Sequence, residues 1–122
     1  MISDSEATAG NSAIPDREFT LLGPASSVPK GSMTAFSLAD AEILVANIAG
    51  EYFGVDNLCS HAMGWLDQGY LHAQSFEVEC ALHAGRFDLR TGKATLPPCT
   101  EPIAAYRVIR RGDNLLAAPP DS

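Results

Sequence analysis

Two short cysteine–histidine pairs constrain this chain more than any other feature: Cys59-Ser60-His61 and Cys80-Ala81-Leu82-His83, with eighteen residues between them. Close pairs suit a metal because one tight loop fixes two ligand atoms at once, and a second pair closes the site. Metal binding then stabilises a loop region too small for a core of its own. The bland reading is that a lone Cys or His in a small domain is packed or satisfied locally. Two such pairs, each with loop glycines nearby, rarely arise by chance.

Two kinds of centre fit two cysteines and two histidines. Zinc would take all four in one tetrahedral site. A Rieske-type centre would put both thiolates on one iron and both imidazoles on the other, with sulfides between. Each pair here holds one Cys and one His, so two facing loops can offer like ligands to each iron. A zinc finger usually groups Cys with Cys and His with His, so this order disfavours it.

The rest of the chain reads as short strands separated by turn residues. Phe19-Thr20-Leu21-Leu22 ends at Gly23-Pro24, and Met33 to Leu38 follows Pro29-Lys30-Gly31. Ile43 to Ile48 and Glu51 to Val55 flank Ala49-Gly50, a tight hairpin signal. Phe76 to Glu79, Arg86 to Leu89, Ala104 to Ile109 and Leu115-Leu116 continue the pattern, with a second hairpin turn at Arg111-Gly112-Asp113-Asn114. A helix over residues 36–46 is allowed on propensity, but strand, turn at Asp40-Ala41, strand fits better. The expected fold is all-β, a sandwich or small barrel. Residues 57–98 form a loop-rich subdomain inserted between hairpins, and residues 16–118 form the domain. Residues 1–15 are small and polar and are read as a disordered tail.

Bulk properties remove other functions. The 122 residues fit one domain, and 46% hydrophobic residues can fill a core. Eight basic against fifteen acidic residues, net charge −7, argue against nucleic acid as the main partner. No apolar run approaches the roughly 18 residues of a membrane span. The acidic, polar start lacks a secretory n-region and h-region, so a soluble cytoplasmic protein is expected. Three cysteines, an odd number, do not suggest a disulfide framework.

The two pairs match the Rieske motif, Cys-x-His followed by Cys-x-x-His. Asp67-Gln68-Gly69-Tyr70-Leu71, Val78-Glu79-Cys80, Gly85-Arg86-Phe87-Asp88, Thr91-Gly92-Lys93 and Leu96-Pro97-Pro98-Cys99 extend the likeness. Over roughly Phe19 to Leu116 the chain resembles the Rieske ferredoxins of bacterial aromatic ring-hydroxylating dioxygenase systems. The resemblance implies three stacked antiparallel sheets, with the cluster at one tip and its histidines near the surface. It implies one [2Fe–2S] cluster per chain, held by Cys59, His61, Cys80 and His83. It implies a monomeric one-electron carrier with no catalytic residues. Electrons would come from a flavin-containing, NAD(P)H-dependent ferredoxin reductase and go to a terminal Rieske non-haem iron oxygenase, both transient partners. The other classes left open are a small Rieske subunit of another redox enzyme, such as a nitrite reductase-like complex, and a structural zinc-binding module.

Departures from related groups sharpen this expectation. Membrane-bound Rieske proteins of respiratory complexes add a cysteine to each cluster loop, at positions that resemble Gly64 and Leu82, which cannot form that bridge. They also place a serine and a tyrosine where Gly85 and Phe87 stand. Hydroxyl donors stabilise the reduced cluster, so their absence predicts a potential near the low end of the Rieske range, about −150 mV. Adding them as Gly85→Ser with Phe87→Tyr is expected to raise it. A catalytic oxygenase also needs a mononuclear iron on two His and a carboxylate. Beyond the cluster pair only His72 remains, so that site cannot be assembled. His72 is expected in an exposed loop tip. Cys99 is expected to pack beneath the cluster loop rather than act as a redox thiol. Trp65 and Met63 fit covering the cluster and docking a partner equally well, and Arg86 either braces the second loop or is solvated.

Overall fold

The computed structural model describes residues 19–38, 41–60, 64–82 and 84–118. The tail read over residues 1–15 and the start of the domain at residues 16–18 lie outside this range. Every regular element longer than a single turn is a strand. Ten strands run in order: β1 (Thr20–Pro24), β2 (Met33–Leu38), β3 (Ala41–Ile48), β4 (Glu51–Asp56), β5 (Tyr70–His72), β6 (Glu77–Glu79), β7 (Arg86–Asp88), β8 (Ala94–Leu96), β9 (Ala105–Arg111) and β10 (Asn114–Ala118). They form a six-stranded antiparallel sheet, order β1-β10-β9-β4-β3-β2, and a four-stranded one, order β5-β6-β7-β8.

Strand β3 explains the layering. Its Ile43-Leu44-Val45-Ala46-Asn47-Ile48 run is buried throughout. Side chains alternate across a strand, so Ile43 and Val45 enter one core with Leu115, Ala117, Phe36 and Val108. Leu44, Ala46 and Ile48 enter a second core with Val78, Phe87, Leu89 and three cysteines. The first core lies between the two halves of the six-stranded sheet, and the second lies beneath the four-stranded sheet. The result is three stacked layers, as expected. The two outer-sheet halves are one hydrogen-bonded sheet, however, because β4 and β9 pair at Gly54↔Tyr106 and Val55↔Ala105. Asp56 clamps that short junction, accepting from the Tyr106 hydroxyl at 2.6 Å and from the Ala104 amide at 3.1 Å.

The hairpins behave as their sequences predict. Ala49 and Gly50 both take positive φ, 57° and 93°, which is what a two-residue primed turn requires. Asn47 braces it: its side-chain oxygen accepts from the Gly50 amide and its Nδ2 donates to the Val28 carbonyl. The 36–46 stretch is strand–turn–strand, although Ala41, expected in the turn, already pairs with Leu38 as strand. Residues 39 and 40 lie outside the described residues.

Candidate metal centre

The four-stranded sheet carries two loops that face each other. The first runs from Asn57 to Asp67. Buried Asn57 closes it by donating to Asp67 Oδ1 at 2.9 Å and accepting from the Asp67 amide at 2.8 Å. Inside, Leu58 bridges Trp65, and the Cys59 amide donates to the Gly64 carbonyl at 2.7 Å. The second loop is tighter. The Cys80 amide donates to the Gly85 carbonyl at 2.8 Å, and the Ala84 amide returns to the Cys80 carbonyl at 2.9 Å. Each loop thus holds a cysteine whose backbone amide is fixed by a glycine carbonyl further along the same loop.

The loops meet over the cysteines. A Cβ on Gly64 would lie 2.7 Å from Leu82 Cδ1 and 3.5 Å from Cys80 Sγ. Gly64 and Leu82, the two positions compared with the respiratory disulfide, thus stand against each other, and only a glycine fits there without shifting Leu82. Cys59 and Cys80 are buried at the base of the loops, 1% exposed, in the second core. Both thiols stand outside any disulfide and share one core beneath the described residues of the two loops, a cradle suited to a metal cluster. His61, His83 and Met63 lie outside the described residues.

A third segment completes the base. Residues 97–101 pass under both loops, with the Pro97–Pro98 peptide cis. Ser60 Oγ donates to the Glu101 carbonyl at 2.7 Å, tying this segment to the first loop. Cys99 is buried with its Sγ 3.9 Å from Cys59 Sγ. It packs beneath the cluster loop, as expected. Burial, reinforced by Cys59, pushes its thiol pKa up to about 12. Gly85 has no side chain for a plain steric reason: a Cβ there would lie 2.3 Å from Cys99 Sγ. The expectation that Gly85→Ser simply adds a donor is therefore corrected, since the serine would displace Cys99.

Two other residues fall differently from the sequence reading or resolve it. His72 is not in an exposed loop tip. It belongs to β5, is half-buried, and its Nε2 lies 2.6 Å from Glu79 Oε1. Arg86 braces the sheet: its Nη1 donates to Glu77 Oε1 at 3.2 Å, and its Nε lies 3.4 Å from Glu79 Oε1 outside hydrogen-bond geometry. Glu79 and Arg86 are cross-strand partners in β6 and β7, the arrangement in which opposite charges support a sheet.

Glu77 is held below its ordinary value of 4.5, first by a Thr95 hydrogen bond, then by Ser75 and Arg86. A lowered folded-state value stabilises the fold above the unfolded value and loses that contribution as pH falls through the folded one. Glu77→Gln should therefore cost stability at pH 7 and cost progressively less below about 4.5. Chemical unfolding of both proteins at pH 7 and at acid pH checks this; a constant difference contradicts it.

Fold and site together define a small all-β protein that cradles a metal cluster at one tip. Residues 18–107 match the family model for the Rieske [2Fe-2S] domain. The chain belongs to the Rieske [2Fe–2S] family. It is 41% identical over 86 residues to the ferredoxin component of biphenyl 2,3-dioxygenase from Rhodococcus jostii, covering 70% of this chain and 78% of that one. It is 38% identical over 81 residues to the ferredoxin component of naphthalene 1,2-dioxygenase/salicylate 5-hydroxylase systems from Ralstonia sp, covering 66% and 76%. The ferredoxin of carbazole 1,9a-dioxygenase from Nocardioides aromaticivorans IC177 superposes with a TM-score of 0.79 at 40% identity, over 83% of this chain and 97% of that one. The chain is thus a ferredoxin-type electron carrier whose cofactor is a Rieske [2Fe–2S] cluster, and the two buried thiols fit its cysteine-ligated iron. Among the described residues no helix is long and apolar enough to cross a membrane.

Proposed function

We propose that this chain is the ferredoxin component of an aromatic ring-hydroxylating dioxygenase system in the cytoplasm, with residues 16–118 as its folding unit. Cys59 and Cys80 would bind one iron, and His61 and His83 the other. A monomer would take one electron from a flavin-containing, NAD(P)H-dependent reductase and give it to a terminal oxygenase. The names of its relatives support this reading. The observation that carries it is the pair of closed loops presenting buried Cys59 and Cys80 together at one tip.

When bound, the cluster supplies reversible one-electron storage. The residues of the chain do the remaining work. The closed loops keep water from the thiolates. The rigid backbone at Cys59 and Cys80 limits rearrangement between oxidation states. The loop surfaces meet the partner, and Trp65 and Leu82 there are 49% and 60% exposed. Large apolar side chains left in water at a transfer tip suit a small, weak interface that exchanges quickly. Trp65 is thus placed better for docking than for covering the thiolates.

Two measurements test the proposal. NAD(P)H and a flavin-containing reductase of an aromatic dioxygenase system should bleach its visible bands, and a terminal oxygenase of such a system should restore them in stopped flow. Failure of either transfer refutes the assignment. Trp65→Ala with Leu82→Ala should slow transfer to the oxygenase about tenfold, equivalent to ~1.4 kcal/mol, at unchanged potential. An unchanged rate places the interface elsewhere.

A further inference from the structure

We propose that the Cys99 thiol is a positioning residue for electron transfer, donating a hydrogen bond to the Cys59 sulfur and raising the reduction potential. The inference rests on Cys59 being a cluster ligand. The two sulfurs are 3.9 Å apart, and geometry alone would let either donate. A ligand thiolate has no proton to give, so with Cys59 on iron the donor is Cys99.

The contact is built rather than incidental. Cys99 is buried, and its amide donates to the Leu96 carbonyl at 3.3 Å. Ser60 fastens the same segment to the first loop through Glu101. Gly85 clears the space on the other side, because a Cβ there would meet the Cys99 sulfur, amide nitrogen and Cβ at 2.3, 3.0 and 3.1 Å. The thiol thus enters from a different segment the space that a side chain at residue 85 would occupy. Glycine at 85 and cysteine at 99 form one unit: either a side chain reaches in from 85, or the thiol reaches in from 99.

The consequence follows from charge. Reduction adds one electron to the iron–sulfur unit, while the proton stays on the Cys99 sulfur. A donor aimed at a ligand sulfur stabilises the more negative reduced state and raises the potential. An S–H is a weak donor, so the rise is smaller than a hydroxyl would give. That fits a potential still low within the Rieske range.

The test uses the holoprotein. Cys99→Ala should lower the potential in voltammetry and remove one exchangeable deuteron coupling in pulsed ENDOR of reduced protein prepared in deuterium oxide. Cys99→Ser, whose hydroxyl is the stronger donor, should hold the potential above that of Cys99→Ala and retain the deuteron coupling. An unchanged potential in Cys99→Ala, or equal shifts in both variants with the deuteron coupling retained, would overturn the inference. Should the variants fail to hold the cluster, the unmodified protein decides: its Fe–S(Cys) stretches in resonance Raman should shift between water and deuterium oxide, and no shift overturns the inference. Failure of the underlying ligand reading looks different, because the unmodified reduced protein would then lack the EPR signal of mixed Cys/His ligation.

Discussion

Cys80→Ala is expected to yield a colourless protein with no EPR signal after reduction, and Cys59→Ala the same. On the proposed ligand set each change removes half of the cysteine pair on one iron, and Cys99 cannot substitute. Cys99 Sγ lies 3.9 Å from Cys59 Sγ, but its segment is fixed beneath the loop by Ser60 and Leu96. The structural effect should be large as well. The described residues of loops 57–67 and 80–85 are held by backbone hydrogen bonds and by two cysteines that are part of the second core. A cluster bound only by the folded state contributes its binding energy to folding. Losing about 3 kcal/mol lowers the melting temperature of a domain this size by roughly 10–20 °C. Calorimetry and iron content of each variant provide the check. Retention of a full cluster in either would remove that cysteine from the ligand set.

Gly92→Ala is the second large effect. Gly92 has φ of +82°, where an L side chain is strained, and a Cβ there would lie 2.0 Å from the Ile103 carbonyl oxygen. That oxygen is backbone and cannot turn aside like a flexible side chain. The Gly92 amide also donates to the Asp88 carbonyl at 2.7 Å, and its carbonyl accepts from the Ile103 amide at 2.9 Å. Relieving the clash therefore breaks the clasp between the β7–β8 turn and the segment leading into β9. The cost should be about 3–5 kcal/mol, combining left-handed strain with the steric displacement. Urea unfolding measures it; a loss below about 1 kcal/mol would mean that the clasp relaxes freely.

What the sequence disclosed follows physical lines. The Cys/His pairs are local, so their spacing was readable, and so were hairpins whose turns have their own residue signatures, such as Ala49-Gly50. Strands β5 and β8 were not readable. Tyr70–His72 and Ala94–Leu96 are three residues each, too short to display a two-residue period. They exist because β6 and β7 pair with them. His72 was misplaced for the same reason: its partner Glu79 faces it only through the β5–β6 register. The Asn57–Asp67 clasp left only ordinary polar residues in the sequence. The contact between Cys59 and Cys99 joins residues forty apart, and no pattern announces it. Gly85 looked like a missing donor in the sequence; in the fold it is the space that Cys99 occupies.

Cys59, His61, Cys80 and His83 are proposed to hold one mixed-ligand [2Fe–2S] cluster. EPR of the dithionite-reduced protein, with nitrogen couplings resolved by pulsed methods, tests it most directly. A single signal of low average g, with coupling to two histidine nitrogens, is expected. A spectrum of all-cysteine character, or an EPR-silent protein loaded with zinc, would contradict it.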